Sequence, residues 1–118
     1  MSNNISAKGA SFEFGGKVRK MIFINRAVVY LQEKHDGFMK AIQKIDDENN
    51  EIDYDILSDI LYAGFMTNKD PELTVEFIRG TLDDMTLIET REMATTHLVA
   101  ALTGSYPDSK SRDSGGPQ

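Results

Sequence analysis

The alternation of apolar and polar residues changes period along the chain, and each change marks an element. Ser11-Phe12-Glu13-Phe14 alternates, Gly15-Gly16 interrupts, and Lys17 to Ile24 alternates again with Val18, Ile22 and Ile24 on one side. Two period-2 runs across a Gly-Gly pair predict a β-hairpin, and a lone hairpin is marginal in water, so its apolar face is expected on the helices. The period then becomes 3.6. A first helix is predicted over 26–35, capped by Asn25, with Val28 and Leu31 inward and Ala27 and Tyr30 beside them. After Asp36-Gly37, a short second helix carries Phe38, Ala41, Ile42 and Ile45 on one face.

The most apolar stretch follows. Ile56, Leu57, Ile60, Leu61 and Phe65 recur at helical steps, Asp53 stands at an N-cap position, and Asp55 and Asp59 put negative charge near the helix start. This predicts a central helix over 53–66 on which the rest packs, with Gly64 either admitting a close neighbour or ending the helix. Thr67 to Pro71 reads as a turn, because a residue before proline is biased away from helix. Thr74 caps a fourth helix with Val75, Ile78 and Leu82 on one side. Thr86-Leu87-Ile88-Glu89 fits a capping box and opens a fifth helix, with Ile88, Ala94, Leu98, Ala101 and Leu102 inward and Gly104 ending it. The expectation is a mainly α fold, about five helices with an N-terminal β-hairpin, in one domain over 11–104. Residues 1–10 and the Ser-, Gly- and Asp-rich residues 105–118 are expected to be disordered.

Charge adds an asymmetry. Residues 1–44 hold eight Lys/Arg against three acids, a net of +5, while 45–104 hold three against fourteen, a net of −11. Such polarity favours head-to-tail contact between copies, with Asp46, Asp47 and Glu48 of the acidic loop 46–51 as the self-association residues. Scattered basic residues without an aromatic platform argue against nucleic-acid binding. No apolar run approaches a membrane span, and no signal peptide is visible, so a cytoplasmic protein without a membrane partner is expected.

Candidate chemistry is sparse. With no cysteine and only His35 and His97, read as surface residues on different helices, a zinc site lacks ligands. No phosphate loop or nucleophile elbow is present, so neither an enzyme nor a cofactor is expected. Asp47 to Asp55 resembles a calcium-binding EF-hand loop. With Ile52 at the aliphatic position, however, the first ligand becomes Ile45, the turn glycine Asn50 and the bidentate glutamate Ile56. The loop is therefore read as acidic capping, with a degenerate calcium-binding protein as a minor alternative. The methionines are read mostly as core filler. Phe38, Met39, Phe65 and Met66 are the candidates for an exposed, partner-binding apolar patch.

The order of these features resembles one family. A hairpin with Phe12 and Phe14 leads through Ile22-Phe23-Ile24-Asn25 into a helix with Leu31. The central helix then ends Leu61-Tyr62-Ala63-Gly64-Phe65, and the turn Asn68-Lys69-Asp70-Pro71-Glu72-Leu73-Thr74 opens an acidic helix. Over residues 11–104 this resembles the tail assembly chaperones of long-tailed bacteriophages and of prophages of Gram-positive hosts. Phe65 stands where leucine is expected. The resemblance implies a non-catalytic protein of the host cytoplasm, absent from the mature virion, that binds and solubilises the tape measure protein and helps recruit tail tube subunits around it. It further implies a short form, beside a frameshifted longer form that contacts the major tail tube protein and diverges near residues 105–118. A structural head–tail connector or neck protein is the alternative.

Overall fold

The computed structural model describes residues 9–45 and 52–104, so the acidic loop 46–51, with Asp46, Asp47 and Glu48, and the expected disordered tail lie outside the described residues. The fold is mainly α with an N-terminal hairpin, as the hydrophobic periods predict. Strands β1 (Ala10–Phe14) and β2 (Lys17–Met21) pair antiparallel. Helices α1 (Asn25–Lys34), α2 (Phe38–Ile45), α3 (Tyr54–Gly64) and α4 (Val75–Asp83) follow, and α5 is a continuous helix over 87–103.

α3 is the centre. Ile56, Leu57, Ile60, Leu61 and Ala63 are all buried, and α1, α2 and α4 pack around it. Its start follows from Asp53, whose Oδ1 accepts the backbone N–H of Asp55 at 3.1 Å and of Ile56 at 3.2 Å. It stops at Gly64, earlier than the periodicity predicts, and residues Met66–Asn68 tighten into a 3₁₀ turn. Gly64 is there for proximity. A Cβ on it would lie 2.6 Å from Cγ of Met21 and 3.1 Å from Cζ of Phe23, and its carbonyl accepts Ile22 N–H at 2.9 Å. The hairpin thus lies directly on the end of the central helix.

Two other caps match the sequence. Thr74 Oγ1 accepts Phe77 N–H at 3.0 Å, and Thr86 and Glu89 complete a reciprocal capping box. Asn25 does not cap α1: Ile24 occupies the cap position without a side-chain bond, and Ala27 and Leu31 are the fully buried residues while Val28 is half-buried. β1 begins at Ala10, inside the stretch expected to be disordered, because Ala10 pairs with Met21 and is buried against the core.

The face of β2 is the larger correction. Val18, expected inward with Ile22 and Ile24, is 74% exposed, whereas Arg19 and Met21 point in. The two-residue turn fixes the register, so Phe12 lies opposite Arg19 and Glu13 opposite Val18. Directly paired residues share a face. Once Phe12 and Phe14 enter the core, Arg19 must follow them.

α5 holds the second correction. Ile88, expected inward, is 77% exposed. Met93–Leu98 winds as a π-helix between two α-helical segments, Leu87–Glu92 and Val99–Thr103. An extra residue in a turn rotates the start of the helix by about 100° relative to its end. That rotation carries Ile88 away from the stripe of Leu98 and Ala101, both buried as expected.

Candidate interaction surface

Inward-pointing Arg19 ties the hairpin to the body. Its side chain is 2% exposed. Nε donates to the Phe14 carbonyl at 3.0 Å, Nη1 to Asp70 Oδ2 at 2.6 Å and Nη2 to Glu72 Oε1 at 3.3 Å, while the guanidinium lies over the Phe77 ring. A buried charge is tolerated only when paired and hydrogen-bonded, and this one has both carboxylates and a carbonyl. The backbone N–H of Glu72 above all holds the Asp70 carboxyl below its ordinary range; desolvation opposes it, and the Arg19 side chain and the charge of Lys17 add smaller lowering effects.

Asn68 completes the attachment. Alternation along the ladder turns the N–H and C=O of Lys20 away from β1. The Asn68 side chain meets both, Oδ1 accepting Lys20 N–H at 3.2 Å and Nδ2 donating to the Lys20 carbonyl at 2.8 Å. A side-chain amide thus stands in for a third strand on the outer edge of β2, which manages an edge that could otherwise pair with another chain.

Both histidines are engaged with neighbours, which departs from the expectation of surface residues. His35 Nε2 lies 3.0 Å from Asp59 Oδ2, joining α1 to α3. The His97 ring stacks on Phe12 with centroids 4.3 Å apart and planes at 6°. Burial lowers the His97 pKa, and the nearby charge of Glu92 opposes that only partly.

The proposed apolar patch is divided by the fold. Phe65 is 2% exposed, in ring contact with Phe12 and Phe14 at the centre of the core, and is withdrawn from the surface. Phe38 is half-buried against Phe23. Met39 is 58% exposed on α2, while Met66 borders a different depression with Tyr62, Leu73 and Arg26. The four residues do not form one surface.

An open groove of about 520 Å³ lies elsewhere, between the hairpin and α5. The buried Phe12 and Met93 and the half-buried Met85 give it an apolar floor, and Glu13 on β1 and Glu89, Glu92 and His97 on α5 also line it. Among the described residues, its lining contains no Lys or Arg. Sequence reasoning missed it because Met85 and Met93 lie 73 and 81 positions after Phe12; only the docked hairpin brings them together. Among the described residues, no cluster of three or more His, Asp or Glu side chains is arranged to hold a metal ion. Comparison with family models, with curated proteins and with solved structures finds no match to this chain.

Proposed function

We propose that this chain is a tail assembly chaperone of a long-tailed phage or prophage, a non-catalytic protein that holds the tape measure protein in solution during tail building. The observation that supports this reading is the use the fold makes of the stretch carrying the resemblance. Gly64 accepts the hairpin, Asn68 caps its edge and Asp70 and Glu72 hold Arg19. The residues of Leu-Tyr-Ala-Gly-Phe and Asp-Pro-Glu-Leu-Thr therefore act as one structural device, which is how a family signature without catalytic residues is expected to arise. An open groove floored by Met and Phe suits a protein whose task is to cover apolar client surface.

On this reading the chain works in the host cytoplasm, several copies cover one client by contacting each other head to tail, and recruitment of the major tail tube protein falls mainly to a longer form. Co-expression with the tape measure protein, followed by size-exclusion chromatography with light scattering, tests it. The expected result is a soluble complex with many copies per client chain. An insoluble tape measure protein, with this chain eluting alone, overturns the reading. Mass spectrometry of purified virions separates it from a connector or neck protein, which stays in the particle whereas a chaperone is absent.

A further inference from the structure

The two ends of α3 present unlike surfaces. At its end, two adjoining depressions of about 510 and 480 Å³ share Tyr62, Asp70, Pro71 and Leu73. Tyr62 is half-buried in ring contact with Tyr30, Met66 is half-buried and Pro71 is exposed, so apolar surface reaches solvent here. The free charge around it is mostly positive. Arg26 and Lys69 line the first depression and Lys34 the second, and none of the three makes an ion pair with a described residue. Of the two acids in the lining, Asp70 is already held by Arg19, which leaves Glu76.

At the start of α3 the chemistry is reversed. Tyr54, the first residue of the helix, is 41% exposed. Asp53 and Asp55 flank it, both exposed, although Asp55 is shared with Arg79. Residues 46–51, just before, hold four acids in six positions. α3 is eleven residues long, about 16 Å, so Tyr54 cannot enter the depression at the other end of its own helix. A second copy can supply it.

We propose that the depression at the end of α3 receives the start of α3 of a second copy of this chain, Tyr54 seating against Tyr62, Pro71 and Met66 and the acids around it facing Arg26 and Lys69. An aromatic anchor on an apolar centre carries the binding energy, and the opposed charges around it fix the direction. Because the two surfaces differ, the contact is heterologous, and each added copy leaves one free surface of each kind. This contact gives the head-to-tail assembly of the chaperone reading its two faces, and rests on that reading for what the assembled copies cover.

Complementary charge reversals in the full chain test it, read by light scattering at low salt over a concentration series. The wild type is expected to form oligomers that grow with concentration and dissociate as salt rises. R26E/K69E reverses the receiving surface and D46K/D47K/E48K the entering one, and each alone is expected to associate about tenfold or more weakly. An equimolar mixture of the two should restore the oligomers, since each variant keeps one native surface and the altered surfaces carry opposite charge. Y54S should weaken association about tenfold with Tm unchanged. K20E/K40E makes the same charge change as R26E/K69E at exposed positions outside the depressions and should leave association within about twofold. A wild type that stays monomeric, a mixture of variants with native circular dichroism that stays dissociated, association unchanged in Y54S, or equal weakening by K20E/K40E overturns the proposal. If a charge reversal unfolds the chain, R26Q/K69Q and Y54S decide by the same readout. Co-expression with the tape measure protein keeps the two readings apart. A soluble complex around a wild type that is monomeric alone overturns this contact and leaves the chaperone reading standing. Oligomers restored in the mixture, beside an insoluble tape measure protein, support the contact and overturn the chaperone reading.

Discussion

Arg19 is the residue whose position is most informative. A charged residue in a period-2 run reads as outward, and only the pairing of Phe12 with Arg19 across a two-residue turn reverses that reading. The rule was present in Gly15-Gly16, but it required the inward choice of Phe12 and Phe14 to be propagated across the ladder. The two ends of the ion pair are unequal, and substitutions should show it. Arg19→Ala removes packing as well as charge and should cost about 3 kcal/mol in denaturant unfolding. Arg19→Met should cost less, because it keeps the apolar stem and leaves behind carboxylates that reach water. Asp70→Asn, by contrast, leaves a buried guanidinium with one of its two carboxylates and should lower Tm more than Arg19→Met. Because the folded Asp70 pKa lies below its unfolded value, its contribution is complete above the unfolded pKa and disappears as pH falls through the folded one. The Tm difference between wild type and Asp70→Asn should accordingly shrink in acid. His97 behaves in a related way. Burial lowers its pKa, so the unfolded chain takes up a proton first and stability declines as pH falls below the ordinary imidazole value of about 6.5. In a His35→Gln background, which leaves one imidazole, His97→Phe should keep the stack on Phe12 and remove that decline in a pH series of thermal melts.

At the scale of elements, starts and stops were legible because they depend on one or two residues each. Asp53, Thr74, Thr86 and Gly104 all act where their chemistry predicts. Faces were less legible, because they depend on partners distant in sequence. Ile88 turns outward through the π-helical turn that follows it, and one start was misread as well, since Asn25 is already inside α1 and Ile24 holds the cap position. The assembled groove could not be read at all from periodicity, since it is made of a strand, a turn and a helix that meet only in the folded chain. Two measurements probe this scale. Thr86→Ala should cost about 1 kcal/mol, the ordinary value of a cap. Gly64→Ala sets a gain in helix propensity against overpacking on Met21, and the 2.6 Å approach makes overpacking the larger effect. A net loss of about 1–2 kcal/mol is expected, and the same substitution should cost less when made in a Met21→Ala background than in the wild type; a more stable Gly64→Ala would show that the hairpin can retreat from α3 without cost.

For the whole molecule, the basic first part and the acidic second part remain the largest electrostatic feature of the chain. If that polarity orders copies along a client, D46K/D47K/E48K should abolish higher oligomers at low salt in light-scattering measurements and reduce the number of copies per tape measure chain. Oligomers unchanged in size would detach self-association from the acidic loop. The attachment of the hairpin has a further consequence, concerning time. Arg19 and Asp70 are 51 positions apart, and synthesis at ~5–20 residues per second places them roughly 3–10 s apart at the ribosome exit. During that interval β1 and β2 have emerged, but the side chains that receive Arg19 and plug the Lys20 edge have not. The nascent chain therefore passes through a window in which Phe12, Phe14 and an open strand edge are presented together. A chain proposed to shield an aggregation-prone client is, for those seconds of its own synthesis, itself in need of shielding.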